Sequence, residues 1–340
     1  MKLVIQIPCF NEEASLPATL SALPRTVKGF ETVEWLVIND GSTDDTVGVA
    51  RRLGVDHIVS FARNRGLARA FTAGIEEALK LGADVIVNTD GDNQYDAACI
   101  PDLVRPILEG QALLVVGARP ISEIDHFSPA KKLLQKLGSW AVRRASGADI
   151  PDAPSGFRAI HREAALRLYA FGAYTYTLET IIQAGRIGLP VASVDIRVNG
   201  ELRPSRLIPS VFSYVWRSTI TILRVFVLYK PLRFFLILAA IFAAPGLLGL
   251  GRFLFLWATG EGGGHIQSVV ISSGFLAMSV VILIGGILSD LVAANRVLLE
   301  DIRSRLLRRD VEDTATRLPS EDSTGAEAAS LMTRISRRRL

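Results

Sequence analysis

Two carboxylates one residue apart, Asp90 and Asp92, close the apolar run Val85-Ile86-Val87-Asn88-Thr89, and the amide of Gln94 follows them. In an α/β sheet, a strand that ends this way opens into the ligand crevice. Oxygen-only side chains gathered there suit a hard divalent cation, Mg²⁺ or Mn²⁺, which commonly shares its shell with substrate phosphates. By itself a pair of aspartates at this spacing is equally a solvated acidic turn. The rest of the chain decides between the two.

Residues 3–7 form a β-type run that leads into the loop Pro8-Cys9-Phe10-Asn11-Glu12-Glu13, and a helix is expected from about Ser15. A second strand, Trp35 to Ile38, ends in Asn39-Asp40-Gly41-Ser42, with helical spacing from Thr43 to Leu53. A third strand, His57 to Ser60, precedes Arg63-Asn64-Arg65-Gly66 and a helix to about Leu81. The strand before Asp90 is the fourth, and a fifth, Leu113–Val116, leads to Arg119. Alternation of this kind predicts a mostly parallel, doubly wound sheet. Every polar cluster follows the carboxyl end of a strand, which favours a shared site over isolated turns. Further on, residues 129–147 read as a basic helix containing Lys131, and Asp152-Ala153-Pro154-Ser155-Gly156-Phe157-Arg158 as a turn-rich loop. A helix at about Tyr176–Ile187 and a strand at about Val191–Val198 complete a domain spanning residues 1–200.

The composition is divided along the chain. Hydrophobic residues make up 49% and charged residues 21%, and the mean hydropathy of +0.31 is high for a soluble protein. The excess lies in residues 234–257, whose one charge is Arg252, and in residues 266–289, which have none. Each run can cross about 30 Å of hydrocarbon as a helix. Together they predict a transmembrane hairpin over residues 233–290. Arginine and lysine crowd its outer flanks and avoid the link between the spans, so the positive-inside rule places the N-terminal domain and the C-terminus in the cytoplasm. Residues 201–232 read as amphipathic helices on the bilayer surface, or as ordinary surface helices. Residues 291–310 read as a basic helix and 311–340 as a disordered tail. Cys9 and Cys99 suggest neither a disulfide framework nor a metal site. The sequence pI of about 9.2 does not call for nucleic acid, because the arginines lie beside the spans, where anionic headgroups are the simpler partner.

Taken as a set, Pro8-Cys9-Phe10-Asn11-Glu12, Asn39-Asp40-Gly41-Ser42, Asp90-Gly91-Asp92-Asn93-Gln94 and Ser155-Gly156-Phe157-Arg158 resemble the inverting GT-A glycosyltransferases of family 2. With the hairpin, the chain is similar to the polyprenyl-phosphate branch of that family. The resemblance covers about residues 1–300. It implies that Pro8, Phe10 and Glu12 line the nucleobase and ribose pocket and that Asp40 reaches the base or ribose. It further implies that Asp90 and Gly91 lie against ribose and diphosphate, and that Asp92 and Gln94 hold the metal. Asp152 is then placed near the sugar and acceptor, orienting the attacking oxygen, unless it only stabilises an Asx turn. Glu179 either binds sugar hydroxyls or complements a helix dipole. Asp92, Asp152 and Arg158 are the candidate catalytic residues. This chain has Phe10 where relatives often have Tyr, Gly91 where Ala is common, and Lys131 and Gln135 where relatives carry Arg and Ser. Relatives form tetramers, and Gly246, Gly249, Gly285 and Gly286 could let helices of different subunits approach closely.

The expected reaction moves one hexose from a UDP- or GDP-sugar to a polyprenyl phosphate. A phosphomonoester, with a second pKa near about 6, is already anionic at neutral pH. It needs steering and partial neutralisation more than a strong base. Arg119, Lys131, Arg203 and Arg206 are the candidates, since a guanidinium can meet two phosphate oxygens at once. Two rival readings remain: a transferase with another lipid or a protein-bound acceptor, and a non-catalytic nucleotide-sugar-binding partner of a lipid-carrier translocation complex.

Overall fold

The computed structural model describes residues 1–120, 149–170, 176–200, 231–260 and 266–317, with the isolated positions 143, 147 and 227. Lys131, Arg203 and Arg206 lie outside the described residues. So do the expected basic helix at 129–147 (apart from positions 143 and 147), most of the interfacial segment 201–232 and the end of the tail.

The N-terminal half alternates as its apolar pattern requires. It runs β1 (Lys2–Cys9), α1 (Leu16–Ala22), β2 (Thr32–Asn39), α2 (Thr46–Arg52), β3 (His57–Ser60), α3 (Leu67–Lys80), β4 (Val85–Asn88), a short 3₁₀ turn (Ala97–Cys99), α4 (Ile100–Leu108) and β5 (Leu114–Ala118). Then follow β6 (Arg158–His161), α5 (Arg162–Arg167), α6 (Thr177–Arg186) and β7 (Val191–Asp195). Among the described residues these strands form one seven-stranded sheet in the order β3-β2-β1-β4-β6-β5-β7. β1, β2, β3 and β4 pair in parallel, as do β5 and β7. The sheet is buried on both faces, so its strands read as continuous apolar runs. One layer packs Val4, Leu36, Ile38 and Ile86 against α3, α5 and α6; the other packs Leu3, Ile5, Val37 and Val87 against α1 and α4.

Two elements depart from the expectation. The turn-rich loop does not continue as loop: Arg158 begins β6, which runs antiparallel between β4 and β5 and pairs Asn88 with Arg158. The run Arg158-Ala159-Ile160-His161 is too short to show a strand period, and the sheet around it imposes its extended form. Beyond the domain, α7 (Pro231–Ala258) and α8 (Ile266–Arg317) form the hairpin. The second span, the basic helix and residues 311–317 of the expected disordered tail are therefore one helix of 52 residues, because no Gly or Pro interrupts the chain between Gly286 and Pro319.

Both helices qualify as candidate membrane spans, each with a mean hydropathy of 2.3 in its most apolar window, of which only 11% and 6% are buried. That exposure argues against core helices of a soluble domain. The hairpin closes where side chains are smallest. A Cβ on Gly249 would lie 2.2 Å from Ser272 Oγ, and one on Gly286 would lie 2.6 Å from Phe235 Cβ. Gly246 likewise faces Leu276, and Ser279 donates to the carbonyl of Ala239 at 2.9 Å. Three of the four glycines considered for contacts between subunits thus serve the hairpin within one chain, while Gly285 faces open space. Gly249→Leu should force the helices apart and cost about 1–3 kcal/mol, as overpacking does. Thermal denaturation of the detergent-solubilised chain should show a lower midpoint for Gly249→Leu and little change for Gly285→Leu.

Candidate active site

The cleft is built where β1, β2 and β4 end side by side. Register pairs Cys9 with Asn39 and Gln6 with Asn88, so the three following loops must emerge together. The first two loops are stapled to each other. Asn11, with φ 55°, accepts from the Thr43 backbone N–H at 2.8 Å and donates its own N–H to Ser42 Oγ at 2.9 Å. The Glu12 backbone N–H donates to Thr46 Oγ1 at 2.9 Å, while its carboxylate accepts from Ser15. Phe10 stands at the rim, 40% exposed, and Pro8 is buried in β1. An exposed ring beside a cleft can stack on a flat ligand.

Asp40 does something the sequence did not suggest. Its two oxygens accept from the backbone N–H groups of Arg65 and Gly66, at 2.7 and 2.9 Å. It pins the loop before α3 across the end of β2 and is itself only 3% exposed. Gly41, at φ +71°, lies under that loop; a Cβ there would come within 2.4 Å of the Arg63 backbone. The expectation that Asp40 reaches out to a base or ribose is therefore corrected: its carboxylate shapes the wall of the cleft.

The acidic loop is braced from both sides. Thr19 Oγ1 donates to the Gly91 carbonyl at 3.0 Å, and a Cβ on Gly91 would press on Cys9 Sγ and Glu12. Asn199 donates its backbone N–H to the Gln94 carbonyl and its side chain to the Asn93 carbonyl, both at 2.9 Å. Asn93 sits at φ 57°, turning the chain so that Asp92 Oδ1 accepts from the Gln94 N–H at 3.1 Å. Asp90 is the electrostatic centre. Desolvation, then the neighbouring charge of Asp92, lift its carboxyl to about 7, against the partial relief of Arg119. Tyr95 hydrogen-bonds to it, and the Tyr95 oxygen accepts from the Gly156 N–H at 3.0 Å. Tyr176 closes the other side, and a Cβ on Gly156 would meet its hydroxyl at 2.9 Å and both Asp90 oxygens at 3.2 Å. Burial and the charge of Asp90 hold both phenols well above the usual tyrosine range, so they stay neutral donors.

Three candidates from the second half of the domain take other roles. Asp152 is fully buried and paired with Arg119 through two side-chain contacts, Nε–Oδ2 at 2.6 Å and Nη2–Oδ1 at 3.0 Å. Arg119 is thus no solvated cation awaiting a phosphate, and Asp152 is no open base. The pair ties the end of β5 to the loop before β6. Arg158 is also fully buried: it donates to the carbonyls of Ala153 and Ser155, each at 2.8 Å, and to Thr180 Oγ1 at 2.6 Å. Burial pushes its guanidinium down to about 10, still protonated at neutral pH. It positions the Ser155-Gly156 backbone and has no open face to offer a substrate. Glu179, 8% exposed, lies in the first turn of α6, one turn beyond Tyr176. Tyr95, Tyr176, Asn88 and Asn199 were missed as site residues. Tyr95, directly after Gln94, could have been noticed as a hydroxyl within reach of the carboxylates.

Asp90 and Asp92 bring two carboxylates into one cleft, and among the described residues Arg119, the cation that acts on Asp90, is already bonded to Asp152. That imbalance suits a divalent ion. Among the described residues no three His, Cys, Asp or Glu side chains form a metal cage.

Two outcomes follow. In protein stripped of divalent ions, folded Asp90 binds its proton up to about pH 7 whereas an unfolded Asp releases it near 3.8. The folded state holds the extra proton across that interval, so stability falls as pH rises through it. Asp90→Asn should flatten that slope in melting curves recorded in chelator. Arg158→Met should leave buried acceptors unpaired, at about 1–3 kcal/mol each, and denaturant titration should show the loss.

Comparison with known proteins agrees with this architecture. The glycosyl transferase family 2 profile matches residues 4–168, from β1 through α5. A Mycobacterium tuberculosis protein named as an uncharacterized glycosyltransferase is 30% identical over 213 residues, covering 59% of this chain and 91% of its own length. The undecaprenyl-phosphate mannosyltransferase of Micrococcus luteus is 28% identical over 219 residues, covering 61% of this chain and 88% of that one. Glucosyl-3-phosphoglycerate synthase of Mycobacterium tuberculosis, solved with Mn²⁺ and uridine diphosphate, superposes with a TM-score of 0.50 at 21% identity, covering 66% of this chain and 78% of that one. At that identity the likeness speaks for the GT-A-like fold alone. With parallel strands delivering the acidic loop to a shared cleft, and a relative matched along nearly its whole length, the chain belongs to glycosyl transferase family 2.

Proposed function

We propose that this glycosyltransferase transfers one hexose from a UDP- or GDP-sugar to a polyprenyl phosphate at the cytoplasmic face of a membrane, with inversion at the anomeric carbon. The observation that carries this reading is the presence, in one chain, of the Asp90/Asp92 cleft and a hairpin of two exposed apolar helices. A soluble acceptor would give no reason for the hairpin. Relatives named for transfer to undecaprenyl and dolichol phosphates support the same acceptor class.

The residues divide the work. Phe10 at the rim stacks on the nucleobase, with Pro8 and Glu12 behind it. Asp90, held by Tyr95 and packed against Gly156, meets ribose and diphosphate oxygens. Among the described residues Asp92 has one hydrogen bond, from Gln94 N–H to Oδ1; its second oxygen and the Gln94 amide would hold Mg²⁺ or Mn²⁺. A bound divalent ion supplies neutralisation of the diphosphate as it leaves. The acceptor phosphate attacks as the anion it already is. Arg203 and Arg206, at the start of the expected interfacial segment 201–232, are the cations proposed to guide it, along with Lys131. Arg119 contributes through its hold on Asp152.

Purified full-length protein in undecaprenyl-phosphate vesicles, given radiolabelled UDP- and GDP-sugars in turn, should yield a mild-acid-labile labelled lipid with one donor. Asp92→Ala should lower that yield by about 10²-fold or more, as loss of a group stabilising the departing charge does. It should leave the melting curve close to wild type. Absence of labelled lipid with every donor, or full turnover by Asp92→Ala, would overturn the reading.

A further inference from the structure

The end of α8 returns to the catalytic domain. Helix α8 is 52 residues long, hence about 78 Å at 1.5 Å per residue, whereas a bilayer core takes up about 30 Å. Its first charge is Asp290, and from there it continues as one rod. Leu307 and Val311, 8% and 2% exposed, belong to the buried apolar cluster that contains α3 and α5 residues such as Ile75, Leu79, Ala164 and Ala165. Arg303 pairs with Glu76 of α3 at 2.7 Å and lies 4.1 Å over the ring of Tyr169. Arg308 pairs with Glu163 of α5 at 2.9 Å. Charge and apolar contacts therefore bind this foot to two helices at once.

Those contacts lead on to the cleft. Helix α3 follows directly on Gly66, whose N–H is held by Asp40. Tyr169 is bonded through both its backbone N–H and its carbonyl to Gln183 of α6, at 2.9 and 2.7 Å, and α6 follows directly on Tyr176. A catalytic domain on a slack tether would sample every orientation over the bilayer, and few would bring its cleft to a membrane-borne phosphate. A rigid rod removes that search, as preorganisation does in any bimolecular reaction.

We propose that Arg303, Leu307, Arg308 and Val311 are positioning residues that fix the rotational setting of the catalytic domain on its membrane helix, turning the cleft toward an acceptor presented at the bilayer surface. This rests on the reading of the acceptor as a polyprenyl phosphate. The rod transmits rotation: two residues inserted between the span and the foot turn the domain by about 200°, and four by about 40°.

The test uses the full chain in vesicles, with two or four alanines inserted between Ala293 and Ala294, and separately Leu307→Glu. Transfer is measured to undecaprenyl phosphate in the bilayer and to a water-soluble short-chain prenyl phosphate. The two-alanine insertion and Leu307→Glu should lower transfer to the bilayer acceptor by about tenfold or more, as misplacement of a reactant does, while transfer to the soluble one stays within about twofold. The four-alanine insertion should keep most of both. Equal behaviour of the two insertions, or a parallel fall with both acceptors, overturns the proposal. A fluorophore on Gln111→Cys, with headgroup acceptor dyes, reads the domain's distance to the bilayer; Cys9 and Cys99 are buried and escape labelling. That distance should change with two alanines and much less with four. If the wild type labels no prenyl phosphate at all, the acceptor reading fails, yet the distance still decides the foot: a phase-dependent change supports it and a phase-independent one overturns it.

Discussion

Asp90 holds a half-buried carboxylate beside the second carboxylate of Asp92, and much of the surrounding structure serves to tolerate this. The tyrosines on either side offer hydroxyl dipoles and no charge. Gly156 lets the chain come close enough to touch the carboxyl oxygens. Arg119 eases the field from a distance while its guanidinium stays bonded to Asp152. Two like charges held this close are unfavourable, and a positive charge brought to the mouth of the sheet would relieve them. The loops stapled through Asn11 and Thr46, and the brace from Asn199, keep that place from relaxing.

The polar residues near the cleft fall into two groups by what their atoms touch. Phe10, Asp92 and the Gln94 side chain keep a surface toward the opening. Asp40, Asp152, Arg119 and Arg158 turn inward and bond to backbone groups or to each other. All were drawn from sequence as possible ligands, since chemical type alone does not separate a side chain that meets substrate from one that holds the wall. Burial separates them. A buried arginine with three protein acceptors, such as Arg158, has little left for a substrate, and it organises the loop that carries Gly156.

How far the fold could be read in advance follows from where information is local. The parallel strands and the two spans were legible because long apolar runs and the polar clusters ending them are properties of adjacent residues. The strand β6 was not, because its four residues take their conformation from β4 and β5 on either side. The same holds for the Arg119–Asp152 pair, whose members are 33 positions apart, and for Tyr176, which meets Asn88 across 88 positions. The acidic loop and the adjacent Tyr95 could be located from their own letters, but not the phenol of Tyr176, which arrives from α6's start far along the chain. The foot of α8 was read as a basic cytoplasmic helix; its burial against α3 and α5 depends on surfaces that no local pattern announces.

One small irregularity beneath the cleft bears on how such a protein can drift over generations. Gln6 donates through Nε2 to Asn88 Oδ1, and Asn88 passes its own amide hydrogens to the Gly156 carbonyl and the Tyr176 oxygen. The Gln6 Oε1 atom is buried with no partner among the described residues, close to Gly74. The chain of amides therefore has a single polarity, running from β1 toward the opening, and neither amide can flip without stranding a further group. A change at position 6 alone removes the donor that orients position 88, and a change at 88 alone leaves Gln6 wholly unsatisfied. Ancestral and descendant sequences should accordingly keep these two sites or replace them as a couple, an inheritance constraint set by the one bond that joins the two amides.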